Sequence, residues 1–83
     1  MRIVICGAGE VGSHAAEVLV RADHAVTVVD RDPDLLRRLG DTIDARTVVG
    51  NCARADVLAD AGVPDADMVV AATDVDEVNL LTA

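Results

Sequence analysis

Arg2-Ile3-Val4-Ile5-Cys6-Gly7-Ala8-Gly9-Glu10-Val11-Gly12 reads as a buried strand entering a glycine-rich turn and then a helix. Gly7 lets the chain leave the strand in a tight turn. Gly9 carries no side chain that would hold a pyrophosphate off the backbone, and Gly12 lets the helix sit close to the sheet. The free N–H groups and positive dipole end of that helix then face an anion. A second strand, Ala25-Val26-Thr27-Val28-Val29, ends on Asp30, eighteen residues after Gly12. That is near the spacing of about 20 at which a carboxylate accepts hydrogen bonds from ribose hydroxyls. A ligand-free turn accounts for Gly7 and Gly12 but leaves Asp30 without a task. Strand, glycines, helix, second strand and terminal acid in this order therefore point to a dinucleotide site.

Composition narrows the rest. The 83 residues include no aromatic side chain, so the core must be built from Val, Leu, Ile and Ala, as in a parallel sheet covered by helices. No apolar run approaches the ~20 residues that cross a bilayer, and no signal-peptide pattern precedes the first strand. A cytoplasmic chain without membrane insertion is expected. The formal net charge is −8, from twelve Asp, three Glu and seven Arg with no Lys. Such a balance disfavours nucleic acid as a partner, because phosphate contacts need clustered positive charge. Cys6 and Cys52 fall in unlike settings, a strand and a later loop, and suggest neither a disulfide framework nor a metal site. Cys6 is expected to be a small buried hydrophobe. His14 and His24 have no ligand spacing with the cysteines or with each other.

Strand and helix patterns alternate four times along the chain. The first helix, about residues 11–22, is expected to bury Val11, Ala15, Val18, Leu19 and Ala22, leaving His14 and Glu17 outside. Asp32 caps a second helix, Pro33 opens it, Leu35, Leu36 and Leu39 form its inward stripe, and Gly40 closes it. A short third strand spans residues 46–49. A third helix, about residues 54–61, stops at Gly62 with Pro64 beyond, and the fourth strand is residues 68–72. A last helix is expected from Asp74 through Val78, Leu80 and Leu81, with Glu77 completing a capping-box-like pair. The fold class is α/β: a Rossmann-like, doubly wound parallel sheet in strand order 3-2-1-4 with helices on both faces. Its complete form continues to strands five and six, so residues 1–83 read as a single, C-terminally truncated domain. The fourth strand would then carry an unpaired edge that invites self-association.

In such a sheet ligands bind across the carboxyl ends of the strands, where the strand order reverses. Four segments meet there: Gly7 to Gly12 for the pyrophosphate, Asp30-Arg31 for the adenosine ribose, Asn51-Cys52 for the adenine edge, and Ala72-Thr73-Asp74 for the second ribose or nicotinamide. Asp30 repels a 2′-phosphate, which favours NAD over NADP. Arg31 has two readings: it accepts a phosphate or stacks on adenine, or it is a solvated residue at a helix start. Asn51 equally serves as the cap of the third helix.

Taken together, RIVICGAGEVGSHAAEVL, VTVVDRDPDLLRRL and TVVGNCARADVLADAGVPDADMVVAATDVDEVNLLTA resemble the N-terminal nucleotide-binding (KTN, or RCK N-terminal) domain of Trk-type potassium uptake regulators. The resemblance covers essentially the whole chain. Its most specific part is AATDVDEVN, which ordinary dehydrogenases do not share. It implies NAD(H), or alternatively ATP or ADP, bound by Gly7, Ala8, Gly9, Glu10, Val11, Asp30, Asn51, Cys52, Thr73 and Asp74. Positions 51 and 52 depart from the family, which often has Asp at the first and usually a small residue other than Cys at the second. The resemblance also implies a homo-oligomer, a dimer building a ring, beneath a membrane-embedded potassium transporter subunit. In that arrangement ligand-dependent movement gates ion flux.

The residues contain no nucleophile–base pair, and neither histidine is placed where a hydride would move. A non-enzymatic regulatory module is therefore the first reading. The alternative is the N-terminal half of an NAD-dependent oxidoreductase, and a weaker third is adenosylmethionine binding.

Overall fold

The computed structural model describes residues 1–52, 54–72 and 78–81. Among the described residues, five strands and three helices run in the order β1 (Arg2–Cys6), α1 (Glu10–Arg21), β2 (Ala25–Asp30), α2 (Pro33–Thr42), β3 (Arg46–Val49), α3 (Ala55–Asp60), a 3₁₀ turn (Val63–Asp65), β4 (Met68–Ala72) and β5 (Val78–Leu81). The sheet order is β3-β2-β1-β4-β5. The first four strands are parallel in the expected order 3-2-1-4, with Cys6 opposite both Val29 and Ala71.

Side-chain alternation along the strands divides the core into two layers. Ile3, Ile5, Val26, Val28 and Val70 face α1 and α2, where Ala16, Leu36 and Leu39 meet them. Val4, Cys6, Val29 and Val69 face the other way and pack with Ala61, Val57 and Leu58 of the α3 region. Ile3, Ile5, Val28 and Val29 are the largest fully buried side chains, each worth about 1.5–3 kcal/mol of burial. Aliphatic residues, with Cys6 in the second layer, thus fill the core.

The helices differ from expectation in instructive ways. In α1 the buried positions are Gly12 and Ala16, while Val11 and Val18 are 57% and 51% exposed. The helix is rotated because its first turn lies against the end of β1. A Cβ on Gly12 would come within 1.8 Å of the Gly7 carbonyl oxygen, so only a face of small residues can approach. In α2, Asp32 caps as expected, accepting the Asp34 N–H at 2.9 Å. Gly40 does not end α2, which runs on to Thr42. There the Thr42 hydroxyl donates to the Leu39 carbonyl at 2.9 Å. The third helix is capped at Arg54, not Asn51, with no side-chain cap.

The expected last helix is also corrected: residues 78–81 form a strand antiparallel to β4, pairing Val69 with Leu81 and Ala72 with Val78. Only residues 73–77 separate the two strands. That is too short for a crossover to a parallel strand, whereas a hairpin needs only a few residues. Pairing satisfies the β4 backbone groups that would otherwise form an open edge, so that edge is not bare as expected. The other side of the sheet ends in β3, a short and largely exposed strand opened by Arg46, features that discourage edge-to-edge pairing.

Two glycine substitutions should have opposite signs. Gly7 sits at φ +112°, and a Cβ there would meet the Ala72 carbonyl oxygen at 1.8 Å. Gly7→Ala should cost about 3 kcal/mol in urea unfolding. Gly40 is mid-helix with open space around it, so Gly40→Ala should stabilise by about 0.5–1 kcal/mol. Equal effects would contradict the close approach at the glycine turn.

Candidate functional site

The C-terminal ends of β1, β2, β3 and β4 surround an open cleft of about 340 Å³, lined by Cys6, Gly7, Gly9, Val29, Asp30, Arg31, Gly50, Asn51, Cys52 and Ala72. Its size lies at the lower end of the ~300–1,000 Å³ common for ligand pockets. A larger hollow of about 510 Å³ lies at the opposite strand ends, beside Arg2, Asp44, Arg46 and Asp65. That hollow lacks the glycine turn and the helix start.

The glycine turn is held from both sides. The Gly7 N–H donates to the Val29 carbonyl at 2.7 Å, which ties the turn to the neighbouring strand. Gly9 is the N-cap of α1, and no side chain caps the helix. The first amides of α1 therefore lack intrahelical acceptors, and their positive dipole end sits beside Gly9 in the cleft wall. Ser13 turns away from this role: its hydroxyl donates to the Gly9 carbonyl at 2.7 Å.

Asp30 has a structural task that the sequence did not reveal. Its Oδ2 accepts the Ala8 N–H at 2.8 Å, and its Oδ1 accepts the Asp32 N–H at 2.8 Å. One carboxylate thus braces the glycine turn and shapes the entry to α2. A carboxylate has about four lone-pair sites, so both oxygens keep capacity for a further donor.

Most of the expected residues come together. Gly7, Gly9, Asp30, Arg31, Asn51, Cys52 and Ala72 line the cleft. Ala8 is buried behind it, with its N–H given to Asp30. Glu10 and Val11 are exposed on the first turn of α1, and Gly12 is packed beneath that turn. Arg31 is exposed and, among the described residues, makes no ion pair. The backbone carbonyl of Asn51 accepts the Arg54 N–H at 3.0 Å, shaping the loop before α3. Thr73 and Asp74 lie outside the described residues. His14 is on the exposed side of α1 and His24 in the turn before β2, both away from the cleft.

Cys6 and Cys52, read as unrelated, both line the cleft. The neighbouring Cys52 side chain lowers the Cys6 pKa against the opposing effect of burial. The same contact, with burial and the nearby Asp30 charge, raises that of Cys52. Both are free thiols.

The TrkA-N domain matches residues 3–83. The chain belongs to the TrkA-N family. It is 49% identical over 80 residues to the Trk system potassium uptake protein TrkA of Vibrio alginolyticus, covering 96% of this chain and 18% of that protein. It is 49% identical over 81 residues to the protein of the same name from Halomonas elongata, covering 98% and 18%. Its fold is similar to that of a solved structure, "Shewanella denitrificans Kef CTD in AMP bound form", with TM-score 0.76 and 26% identity. That match covers 89% of this chain and 43% of the other. The chain thus spans about a fifth of the length of these TrkA relatives.

In this TrkA-N domain the strand ends also bring Cys6, Val29 and Gly50 into the wall, which sequence reading missed. Their signal was positional: each is the last residue of a strand or lies next to one. Gly50 has a steric reason to be glycine, since a Cβ would come within 2.7 Å of Val57. Removing the Asp30 brace with Asp30→Ala takes the acceptor from the part-buried Ala8 amide and should cost about 1–3 kcal/mol in urea unfolding. Unchanged stability would mean that water replaces the carboxylate at no net cost.

Proposed function

We propose that this chain is the nucleotide-sensing unit of a Trk-type potassium uptake regulator, holding NAD(H) in the cleft at the strand ends, with ATP or ADP as the alternative ligand. The observation that carries this reading is the uncapped N-terminus of α1, at a glycine turn braced by Asp30, opening on one cleft. A helix start of this kind attracts phosphate through its amides and dipole. The similar Kef structure is an AMP-bound form, which supports an adenine nucleotide as the ligand class.

The residues divide the ligand between them. Gly7 through Gly12 receive the pyrophosphate, with Gly9 admitting it to the backbone and Ala8 holding the turn through Asp30. The remaining lone pairs of Asp30 accept the ribose hydroxyls. Arg31 and the Asn51-Cys52 loop flank the adenine. Thr73 and Asp74 are assigned to the second ribose or nicotinamide. The adenine half of the ligand then occupies the walls that the described residues supply.

The role is regulatory rather than catalytic. His14 and His24 stand away from the cleft, and the relatives are named for potassium uptake. A nucleotide acts on transport only by binding one conformation of the assembly better than another. The assembly we envisage is a homo-oligomer on the cytoplasmic side of a membrane potassium transporter. No helix among the described residues is long and apolar enough to cross a membrane, so the partner supplies the ion path.

Calorimetric titration of the full-length protein with NAD, NADH, ATP and ADP tests the reading. NAD or NADH should bind, with NADP weaker by about tenfold or more through loss of the ribose hydrogen bonds. Asp30→Ala, titrated at a temperature where circular dichroism shows it folded, should lose a similar factor. Unchanged affinity in that variant removes Asp30 from the ribose. Failure of all four nucleotides to bind removes the function.

A further inference from the structure

Cys6 is the last residue of β1, and Cys52 lies in the loop after β3. Val29 stands between them. It is the partner of Cys6 in the β1–β2 ladder, and its carbonyl accepts the Cys52 S–H at 3.8 Å. The two cysteines pack in one apolar cluster with Val29, and both reach the cleft wall. Two free thiols therefore share one wall of the cleft beside the proposed ligand.

We propose that Cys6 and Cys52 form a reversible disulfide whose formation weakens nucleotide binding in the cleft. The coupling to binding rests on the nucleotide reading above, whereas the pairing of the thiols does not. Cys52 is part of the wall assigned to adenine. A disulfide requires S–S ≈ 2.03–2.05 Å, well inside non-bonded contact, so closing it draws the loop toward the end of β1. It also removes the S–H donor to Val29, next to Asp30. Both changes narrow the adenine side.

The oxidant is hydrogen peroxide or another small peroxide. The neighbouring Cys52 thiol lowers the Cys6 pKa against the effect of burial, which favours the Cys6 thiolate, and the thiolate is the nucleophile. The Cys6 sulfur attacks one peroxide oxygen, the O–O bond breaks, and hydroxide leaves and is protonated to water. Cys6 is then a sulfenic acid. The Cys52 sulfur attacks it, the S–S bond forms and the S–O bond breaks. The second hydroxide takes the Cys52 proton and leaves as water. Two electrons pass from the thiols to the peroxide. A small dithiol returns them through a mixed disulfide.

Arginines at 2, 21, 46 and 54 place the cysteines in separate tryptic peptides, residues 3–21 and 47–54. Full-length protein treated with peroxide and blocked with N-ethylmaleimide should yield these two peptides joined, and separate again after dithiothreitol. Calorimetry with NAD and ADP should show the oxidised protein binding at least about fivefold more weakly. Cys52→Ala and, separately, Cys6→Ala should give no joined peptide and an affinity that peroxide does not change. By reciprocity, saturating NAD should slow the joining. Peptides that stay separate or carry only sulfinic acid overturn the pairing. A joined peptide with unchanged affinity overturns the coupling. A reduced protein that binds neither nucleotide while still yielding the joined peptide overturns the nucleotide reading, and the coupling with it.

Discussion

The contact between Gly12 and the Gly7 carbonyl sets the geometry on which the site depends. No side chain fits between them, and a Cβ on Gly7 would strike Ala72 on the neighbouring strand. The start of α1 is thereby pressed against the ends of β1 and β4. From that seat the helix presents its amides to the cleft, and Gly12 and Ala16, rather than Val11 and Val18, become its buried positions. A helix held even one methyl group farther out would need a different inward surface.

Asp30 works within this arrangement as a brace. By accepting amide protons from Ala8 and Asp32, it joins the glycine turn to the start of α2, two segments that no strand pairing connects. In the proposed function the same carboxylate also receives a ribose. The two tasks are compatible because each oxygen has lone pairs to spare. A chain of net charge −8 would be a poor host for an anion only if distant charges dominated. Interactions between exposed charges fall off over roughly 8 Å in physiological salt, so the nearby amides, Asp30 and Arg31 govern the cleft.

The strands were the most legible part of the chain. Ile3 to Cys6, Val26 to Val29 and Met68 to Ala72 are apolar runs that only a doubly covered sheet explains, and their limits match the structure closely. The glycine turn and Asp30 were legible too, because each needs a special residue type at a fixed spacing. Less legible was the face of α1. Val11 and Val18 fit the helical period as well as Gly12 and Ala16 do, and closeness of approach, not hydrophobicity, chose between them. Gly40 resembled a stop signal, yet helical geometry tolerates it where surrounding turns supply the hydrogen bonds. Residues 78–81 carry leucines and a valine that suit either helix or strand, and the open edge of β4 decided for strand.

By itself the sequence determined an α/β chain with a parallel 3-2-1-4 sheet, a glycine turn at its centre and an acid closing the second strand. These follow from local pattern: apolar runs, turn residues and their spacing act over a few neighbouring positions. Tertiary structure alone decided which face of α1 is buried, that β5 pairs with β4, that Asp30 braces the turn and that Cys6 and Cys52 share the cleft wall. Those outcomes depend on which distant segments come within bonding distance. That distance is set by the packing of the whole sheet and is not written in the spacing of any one stretch.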